Sequence, residues 1–303
     1  PACLGRADAA ISRNLRMDAA FLEQCPALKV IGIHGTGTDR VDLAAAAQRG
    51  VRVVYAPGEN AQSVAELIVG LTLALARRGY LADRMLQNGE ALAIADARLT
   101  GMELHGKTLG LVGVGSIARR AAEMFRRAFG MSIVGYSPSL TEERAACLGI
   151  ARCTCVREVF ARADVVSIGV PLTPQTRGLV GTAELAAAKP GALLVNTARG
   201  GLINTDDLIR ALEEEKLGGA GIDTVEGEEG ICHIDLRTRI VDRRNLFYLK
   251  QFPNVIFTQH YAAFAQLSGD AASRCSHGRS AAACWHVRCG ADLHRAGRQN
   301  ARS

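Results

Sequence analysis

The sequence predicts an α/β protein built on a doubly wound parallel sheet. Short apolar runs alternate with helical segments along most of the chain, which is typical of parallel strands joined by crossover helices. A glycine-rich turn, Gly113-Val114-Gly115-Ser116-Ile117-Ala118, follows the apolar run 108–112 and begins a helical segment. The length of 303 residues suits two domains of ordinary size.

The individual elements follow from the apolar pattern and from the residues that end each run. The predicted strands are short apolar runs at 28–33, 51–55, 108–113, 131–136, 163–168, 192–196, 218–223 and 254–258. The predicted helices are the segments 42–49, 63–78, 116–129, 141–148 and 205–215. The helix at 63–78 is apolar almost all round, as is typical of a helix buried between domains or subunits.

The glycine-rich turn predicts a Rossmann dinucleotide site, because it ends a strand and begins a helix. Gly113 permits the tight turn, and Gly115 lets the backbone approach a pyrophosphate. The small Ala118 lets the helix pack closely on the strand. We expect the N–H groups of Ser116 and Ile117, at the helix N-terminus, to face the phosphates.

The residue that follows the predicted strand 131–136 bears on the choice between NAD and NADP. A Rossmann site normally has an acidic residue there, which holds the ribose hydroxyls and repels a 2′-phosphate. Ser137 stands at this place, with Arg144 a few residues further on. Two interpretations stay open: a site that accepts NADP, alone or beside NAD, and a neutral substitution in an NAD site.

Composition argues against several classes of protein. The net charge of +6 is not spread over the chain, since residues 267–303 alone hold six arginines and two aspartates, so we expect no nucleic-acid partner. We find no apolar run of membrane-spanning length and no signal-peptide pattern. The nine scattered cysteines fit free thiols in a cytoplasmic protein, and they lack the spacing of a metal site.

The last residues, 264–303, depart from the pattern of the rest. They hold the single tryptophan, yet the stretch 267–303 contains no lysine, glutamate, isoleucine or phenylalanine and has no helical period. We consider two hypotheses for this anomalous tail: a frameshifted terminus and a natural disordered one.

Further residues that follow three of the predicted strands point to a site for chemistry. Arg199 has the planar fork that suits a carboxylate, and His260 exchanges protons near neutral pH. Acidic residues follow Asp223, which ends the predicted strand 218–223. Each feature taken alone has an ordinary structural explanation, but together they are what hydride transfer to or from an organic acid needs.

At this point the chain resembles the D-isomer-specific 2-hydroxyacid dehydrogenase family, over residues 7–264. The resemblance rests on ordered motifs, among them HGTGTDRVDL, GKTLGLVGVGSIA, VPLTPQTRGLV, KPGALLVNTARGG, GIDTVEGEEG and NVIFTQH. It implies an NAD- or NADP-dependent enzyme that interconverts a 2-oxo acid and a D-2-hydroxy acid. Its members include D-lactate, phosphoglycerate and hydroxypyruvate dehydrogenases, and the substrate stays open among them.

The resemblance also implies roles for individual residues. Arg199 matches the arginine that binds the substrate carboxylate, His260 the acid/base, and Glu228 its carboxylate partner. Asp223 matches a residue near the nicotinamide. Further expected contacts are to the cofactor from Pro171, Thr176 and Ala198, and to the substrate from Thr36 and Gly37.

The resemblance further predicts the domain organisation. Residues 1–102 would form a flavodoxin-like substrate domain that is incomplete at its N-terminus, and residues 103–263 the NAD(P)-binding Rossmann domain. A homodimer is implied, with the helix at 63–78 contributing. The alternative function is a catalytically weak dinucleotide-binding or corepressor-like protein of the same fold.

Overall fold

The computed structural model describes residues 5–12, 15–35, 37–56, 58–90, 96–228, 244–258, 260 and 262. Its contacts divide the chain into two compact units, of which the larger is Asn60–Ala263. The described residues up to Glu59 belong to the smaller unit. The tail from residue 264 lies outside the described residues, so both hypotheses about it stay predictions.

In its described residues, the smaller unit contains a three-stranded parallel sheet of order β1-β2-β3 and two short helices. Its elements are β1 (Ala9–Ser12), α1 (Ala19–Glu23), β2 (Val30–Ile33), α2 (Leu43–Gln48) and β3 (Arg52–Val54). Both helices begin after an aspartate whose carboxylate accepts a hydrogen bond from a first-turn N–H group, at 3.1 Å for Asp18 and 2.9 Å for Asp42. These caps satisfy donors that a helix otherwise leaves without a partner.

The described part of the larger unit is built on a seven-stranded parallel sheet of order β10-β9-β8-β7-β4-β5-β6. Its strands are β4 (Thr108–Val112), β5 (Ser132–Tyr136), β6 (Ala151–Arg152), β7 (Val165–Ile168), β8 (Ala192–Asn196), β9 (Leu217–Ile222) and β10 (Val255–Phe257). The chain adds β5 and β6 on one side of β4, and β7 to β10 on the other. This is the predicted doubly wound sheet, and the fold class is confirmed.

Eight helices are described in the larger unit, and they connect or cover the strands. They are α3 (Ala61–Ala76), α4 (Gly79–Gln87), α5 (Ser116–Phe129), α6 (Glu142–Leu148), α7 (Val156–Arg162), α8 (Thr182–Ala187), α9 (Thr205–Glu213) and α10 (Arg244–Leu249). Helix α5 buries Ala118, Ala121, Ala122 and Phe125, which share one face at the helical spacing. It ends at Gly130, whose φ of 61° is the left-handed cap that glycine favours.

Helix α3, predicted at 63–78, packs inside the larger unit. Its residues Ile68, Leu71 and Leu75 are buried, and the helix contacts β8, β9, β10 and α5. A Cβ built on Gly221 of β9 would lie 3.1 Å from the Cβ of Leu71, so helix and sheet are in close contact. Because this apolar face is buried on the large sheet, the unit boundary falls before α3, whereas the domain boundary predicted from sequence lies after residue 102.

No described helix has both the length and the apolar character needed to cross a bilayer. Over the same residues, no group of three or more His, Cys, Asp or Glu side chains is arranged to hold a metal ion.

Candidate active site

The predicted site residues of the larger unit lie along one edge of its sheet. Because the seven strands are parallel, their carboxyl ends share that edge, and the strand order reverses between β4 and β7. Open α/β sheets bind ligands in the crevice at such a switch point. Gly113 directly follows β4 and Ser137 directly follows β5. Pro171, Arg199 and His260 each lie three residues beyond the ends of β7, β8 and β10.

Gly113 makes the tight turn between β4 and α5. Its φ is 94°, a conformation that residues with a side chain rarely adopt. A Cβ at this position would lie 2.6 Å from the carbonyl oxygen of Gly169, beyond the end of the neighbouring strand β7. Its N–H donates to the carbonyl oxygen of Tyr136 at 2.8 Å. The turn is thus tied to both strands that flank β4.

The start of helix α5 fits the pyrophosphate of a dinucleotide. Gly115 is its N-cap, and within the described chain no side chain caps the helix. A Cβ on Gly115 would have no atom within 4 Å, so its absence leaves open space in front of the first turn. Ser116 and Ile117 begin the helix, whose N-terminal N–H groups and dipole favour an anion there. An uncapped helix start behind an open glycine is the arrangement that NAD needs.

Ser137 and Ser139 offer hydroxyls beyond the end of β5, with their Oγ atoms 3.3 Å apart. Residues 136–141 contain no acidic side chain. The first one downstream, Glu142, forms an ion pair with Arg152 at 3.1 Å. The structure therefore presents hydroxyls where a carboxylate would hold the ribose of NAD.

Pro171 and Thr176 belong to one tight loop after β7. The Thr176 hydroxyl donates to the carbonyl oxygen of Pro171 at 2.7 Å. The N–H of Thr173 donates to the Thr176 oxygen at 2.8 Å. These hydrogen bonds keep the loop compact at the end of β7, the strand next to β4. Cofactor contacts are predicted for this loop.

The loop after β8 is organised by Asn196, which is only 1% exposed. Its amide nitrogen donates to the carbonyl oxygen of Arg199 at 3.0 Å, and its amide oxygen accepts from the N–H of Ala198 at 3.1 Å. The Arg199 guanidinium is half-buried and donates to the carbonyl oxygen of Ala198 at 2.8 Å. The arginine is thereby supported on both its main chain and its side chain.

Asp223 connects the ends of β9 and β10. Its carboxylate accepts from the Thr258 hydroxyl at 2.6 Å and from the N–H of Ala262 at 3.2 Å. Its carbonyl oxygen accepts from the N–H of His260 at 2.7 Å. His260 itself has a φ of 52°, a conformation that is uncommon outside glycine. Such a strained conformation persists only where the surrounding hydrogen bonds maintain it, and strained residues cluster at functional sites.

The structure brings His260 and Glu228 into direct contact, with Nδ1 2.9 Å from Oε1. The other carboxylate oxygen of Glu228 accepts from the N–H of Val225 at 3.1 Å. A carboxylate only accepts hydrogen bonds, so Nδ1 carries the hydrogen and donates it. The Nε2 atom of the ring is then the one left for a substrate.

The charge of Glu228 is maintained by its neighbours. The side chain is 6% exposed, and this burial acts to raise the pKa of its carboxyl. The hydrogen bond and charge of His260 act in the opposite direction, followed by the N–H of Val225 and the charge of Arg199. The attractions outweigh burial, so the pKa of Glu228 lies below its ordinary value of 4.5.

We expect Glu228→Gln to destabilise the protein by about 1.5–3 kcal/mol at pH 7, the usual contribution of a hydrogen bond to a charged group. Because the folded-state pKa is depressed, this stabilisation is present above pH 4.5 and is lost as pH falls through the lowered pKa. Denaturant unfolding between pH 7 and pH 3 measures the difference between wild type and variant. Glu226→Gln, a change at an exposed neighbour, is the control. A difference that is constant over this pH range would contradict the assignment.

The remaining predicted residues, Thr36 and Gly37, are in the smaller unit. Thr36 lies outside the described residues, and Gly37 follows it in a loop after β2. Sequence reasoning missed Asn196, Gly200 and Thr258, which shape the loops around the predicted residues. The position of Asn196, a polar residue at the last place of an apolar strand, was the signal available for it.

The fold and the site together define a dinucleotide-binding α/β domain whose sheet edge carries a histidine in contact with a buried carboxylate. Residues 69–262 match the family model of the D-isomer specific 2-hydroxyacid dehydrogenase, NAD binding domain. The chain belongs to this family, and it carries the family's NAD-binding domain. The family resemblance stated from sequence motifs is confirmed.

Individual relatives agree with this family. The chain is 42% identical over 207 residues to the D-3-phosphoglycerate dehydrogenase of Methanocaldococcus jannaschii, a match that covers 68% of this chain and 39% of that protein. It is 35% identical over 253 residues to a 2-hydroxyacid dehydrogenase homolog of Zymomonas mobilis, covering 82% and 73%. The chain thus matches less than half of the first relative and about three quarters of the second.

Solved structures show the same architecture. The D-lactate dehydrogenase from Aquifex aeolicus, complexed with NAD and lactic acid, matches with a TM-score of 0.78 and 28% identity. That match covers 88% of this chain and 79% of the other. The pyruvate reductase of Chlamydomonas reinhardtii matches with a TM-score of 0.74 and 32% identity, covering 86% and 79%.

Proposed function

We propose that this protein reduces a 2-oxo acid to a D-2-hydroxy acid, with the reverse oxidation catalysed by the same residues. The observation that carries the proposal is the contact of 2.9 Å between His260 and Glu228, at the sheet edge that also presents Arg199 and the glycine turn. When bound, NADH supplies the hydride for this reduction. Gly113, Gly115, Ser116 and Ile117 would hold its pyrophosphate.

Arg199 and His260 divide the work on the substrate. Arg199 binds the carboxylate through its planar fork of N–H donors and polarises the neighbouring carbonyl. His260 gives the proton on Nε2 to the carbonyl oxygen as that oxygen becomes a hydroxyl. Glu228 accepts the hydrogen bond from Nδ1 and so keeps the ring in the orientation that presents Nε2. In the reverse direction His260 takes the proton back.

The direct test is oxidation of NADH in the presence of pyruvate, glyoxylate, hydroxypyruvate and phenylpyruvate, with wild type and Arg199→Met. We expect wild type to reduce at least one of these acids. Arg199→Met should raise the KM for that acid about tenfold to 100-fold, because the charge-assisted hydrogen bonds to its carboxylate are lost. Arg210→Met, at an exposed arginine of α9, is the control. Saturable NADH binding without oxidation of any acid would instead support the dinucleotide-binding alternative.

We also propose that Ser137 lets the site use NADPH beside NADH. The hydroxyls of Ser137 and Ser139 can donate hydrogen bonds to a 2′-phosphate and carry no charge that repels it, and the exposed Arg144 lies close in sequence.

We expect Ser137→Asp to lower kcat/KM for NADPH at least tenfold, because a carboxylate beside a phosphate costs several kcal/mol. The variant should leave the value for NADH within about threefold of wild type. Ser132→Asp, an exposed change at the other end of β5, is the control. An NADPH preference that does not change in Ser137→Asp would contradict this role.

A homodimer in the cytoplasm completes the proposal. The family resemblance supports the dimer, and the free thiols of Cys25, Cys147, Cys153 and Cys155 fit a reducing compartment. Analytical ultracentrifugation measures the mass, and a monomer at micromolar concentration would contradict the dimer.

A further inference from the structure

The backbone at Gly200 lies against a second loop with no room for a side chain. Gly200 directly follows Arg199 and begins a short 3₁₀ turn, Gly200–Leu202. A Cβ built on it would lie 1.9 Å from the carbonyl carbon of Val225 and 2.2 Å from the nitrogen of Glu226. Both atoms are backbone, so no side chain can rotate away. The loop after β8 therefore contacts the loop after β9 main chain to main chain.

The second loop carries the carboxylate that holds His260. The N–H of Val225 donates to one Glu228 oxygen at 3.1 Å, and the N–H of Glu228 donates to the Val225 carbonyl oxygen at 3.2 Å. The other Glu228 oxygen is the one 2.9 Å from His260 Nδ1. Displacement of Val225 therefore displaces Glu228, and with it the ring of His260.

The side chain of Asn196 contacts both of these loops. Its amide nitrogen lies 3.0 Å from the carbonyl oxygen of Arg199 and 3.5 Å from that of Thr224. The first of these oxygens belongs to the loop after β8, and the second to the loop after β9. One buried side chain thus connects two loops that Gly200 allows to touch.

We propose that Gly200 is a positioning residue, whose missing side chain sets the spacing between Arg199 and the Glu228–His260 pair. The inference rests on the proposed function, in which these groups bind the carboxylate and the carbonyl oxygen of one small substrate. The carboxylate carbon and the carbonyl carbon of a 2-oxo acid are joined by one C–C bond. The distance between Arg199 and the Glu228–His260 pair therefore tolerates little change. Since side-chain Cβ atoms do not approach other atoms closer than 3.0 Å, an added methyl group separates the loops by about 1 Å. A displacement of about 1 Å is enough to cost a reaction about 100-fold in rate.

The test compares Gly200→Ala with Gly201→Ala. The neighbouring Cβ at Gly201 would lie 3.2 Å from the end of the Arg177 side chain and 3.3 Å from a methyl group of Leu172, both of which can move. We expect Gly200→Ala to lower kcat about 100-fold and to raise KM for the 2-oxo acid, with Kd for NADH within about threefold of wild type. Gly201→Ala should keep kcat within about threefold. Equal loss in both variants, or wild-type kcat and KM in Gly200→Ala, would overturn the proposal.

A second variant keeps the test open if Gly200→Ala does not fold. Asn196→Ala removes the bridge between the loops without adding an atom, and we expect kcat at least tenfold lower with NADH binding retained. Wild-type kcat in Asn196→Ala would then overturn the proposal. Failure of the proposed function looks different, because wild type itself would oxidise no NADH with any 2-oxo acid.

Discussion

His260→Asn should lower kcat for reduction of the 2-oxo acid by about 100-fold to 10,000-fold, the usual contribution of a general acid or base. Asparagine is the chosen replacement because the φ of 52° at this position is one that Asn tolerates better than most residues. The change therefore removes the ring without removing the backbone turn. NADH oxidation under saturating substrate measures the effect.

The affinity for NADH separates the acid/base role from a structural one. His260 lies three residues after β10, away from the glycine turn after β4, so we expect Kd for NADH to stay within about threefold of wild type. His105→Ala, at an exposed histidine in the same unit, is the control and should leave kcat unchanged. A parallel loss of NADH affinity and turnover in His260→Asn would contradict proton transfer by His260.

Gly113→Ala should lower both stability and NADH affinity. The alanine would have to adopt a φ of 94°, and its methyl group would lie 2.6 Å from the Gly169 carbonyl oxygen. Such strained backbone costs about 1–3 kcal/mol before the contact itself is relieved. Relief requires β4 and β7 to separate at the switch point, so we expect NADH affinity at least tenfold lower and a lower Tm. Thermal unfolding and NADH fluorescence titration measure the two effects.

Gly115→Ala is the matched variant, because it adds the same methyl group two residues away. Gly115 has a φ of −79°, and its Cβ would meet nothing within 4 Å. We therefore expect wild-type stability, with NADH affinity reduced because the methyl group occupies the approach of the pyrophosphate. If Gly113→Ala matched wild type in both measurements, the close packing at this turn would have no functional importance.

Long elements with a strong pattern were predictable from sequence. Helix α5 lies at the predicted residues 116–129, because its buried positions repeat at the helical spacing and Gly130 ends it. Strands β4 and β8 are continuous apolar runs that the sheet buries on both faces. Short elements were missed: β6 has two residues and α8 has six, too few for a period to be recognised.

The candidate site was predictable in part. Arg199, Glu228 and His260 were chosen from ordered motifs, and the topology brings their strand ends to one edge. Gly200 was not chosen, because nothing local distinguishes a glycine that touches another backbone from one in an open turn. Its importance depends on Val225 and Glu226, which lie on a different strand's loop. Asn196 was not chosen either, although its place at the end of an apolar strand was a local signal.

By itself, the sequence determined the kind of sheet, the position of the phosphate turn and the family, since these depend on apolar period and on local residue type. Tertiary structure decided that helix α3 packs on the large sheet, that the Asn196 side chain joins two loops, and that these loops touch at Gly200. The physical reason is that such contacts join residues far apart in the chain. Their distances are set by how strands β8, β9 and β10 align in the sheet, and not by any pattern along one segment.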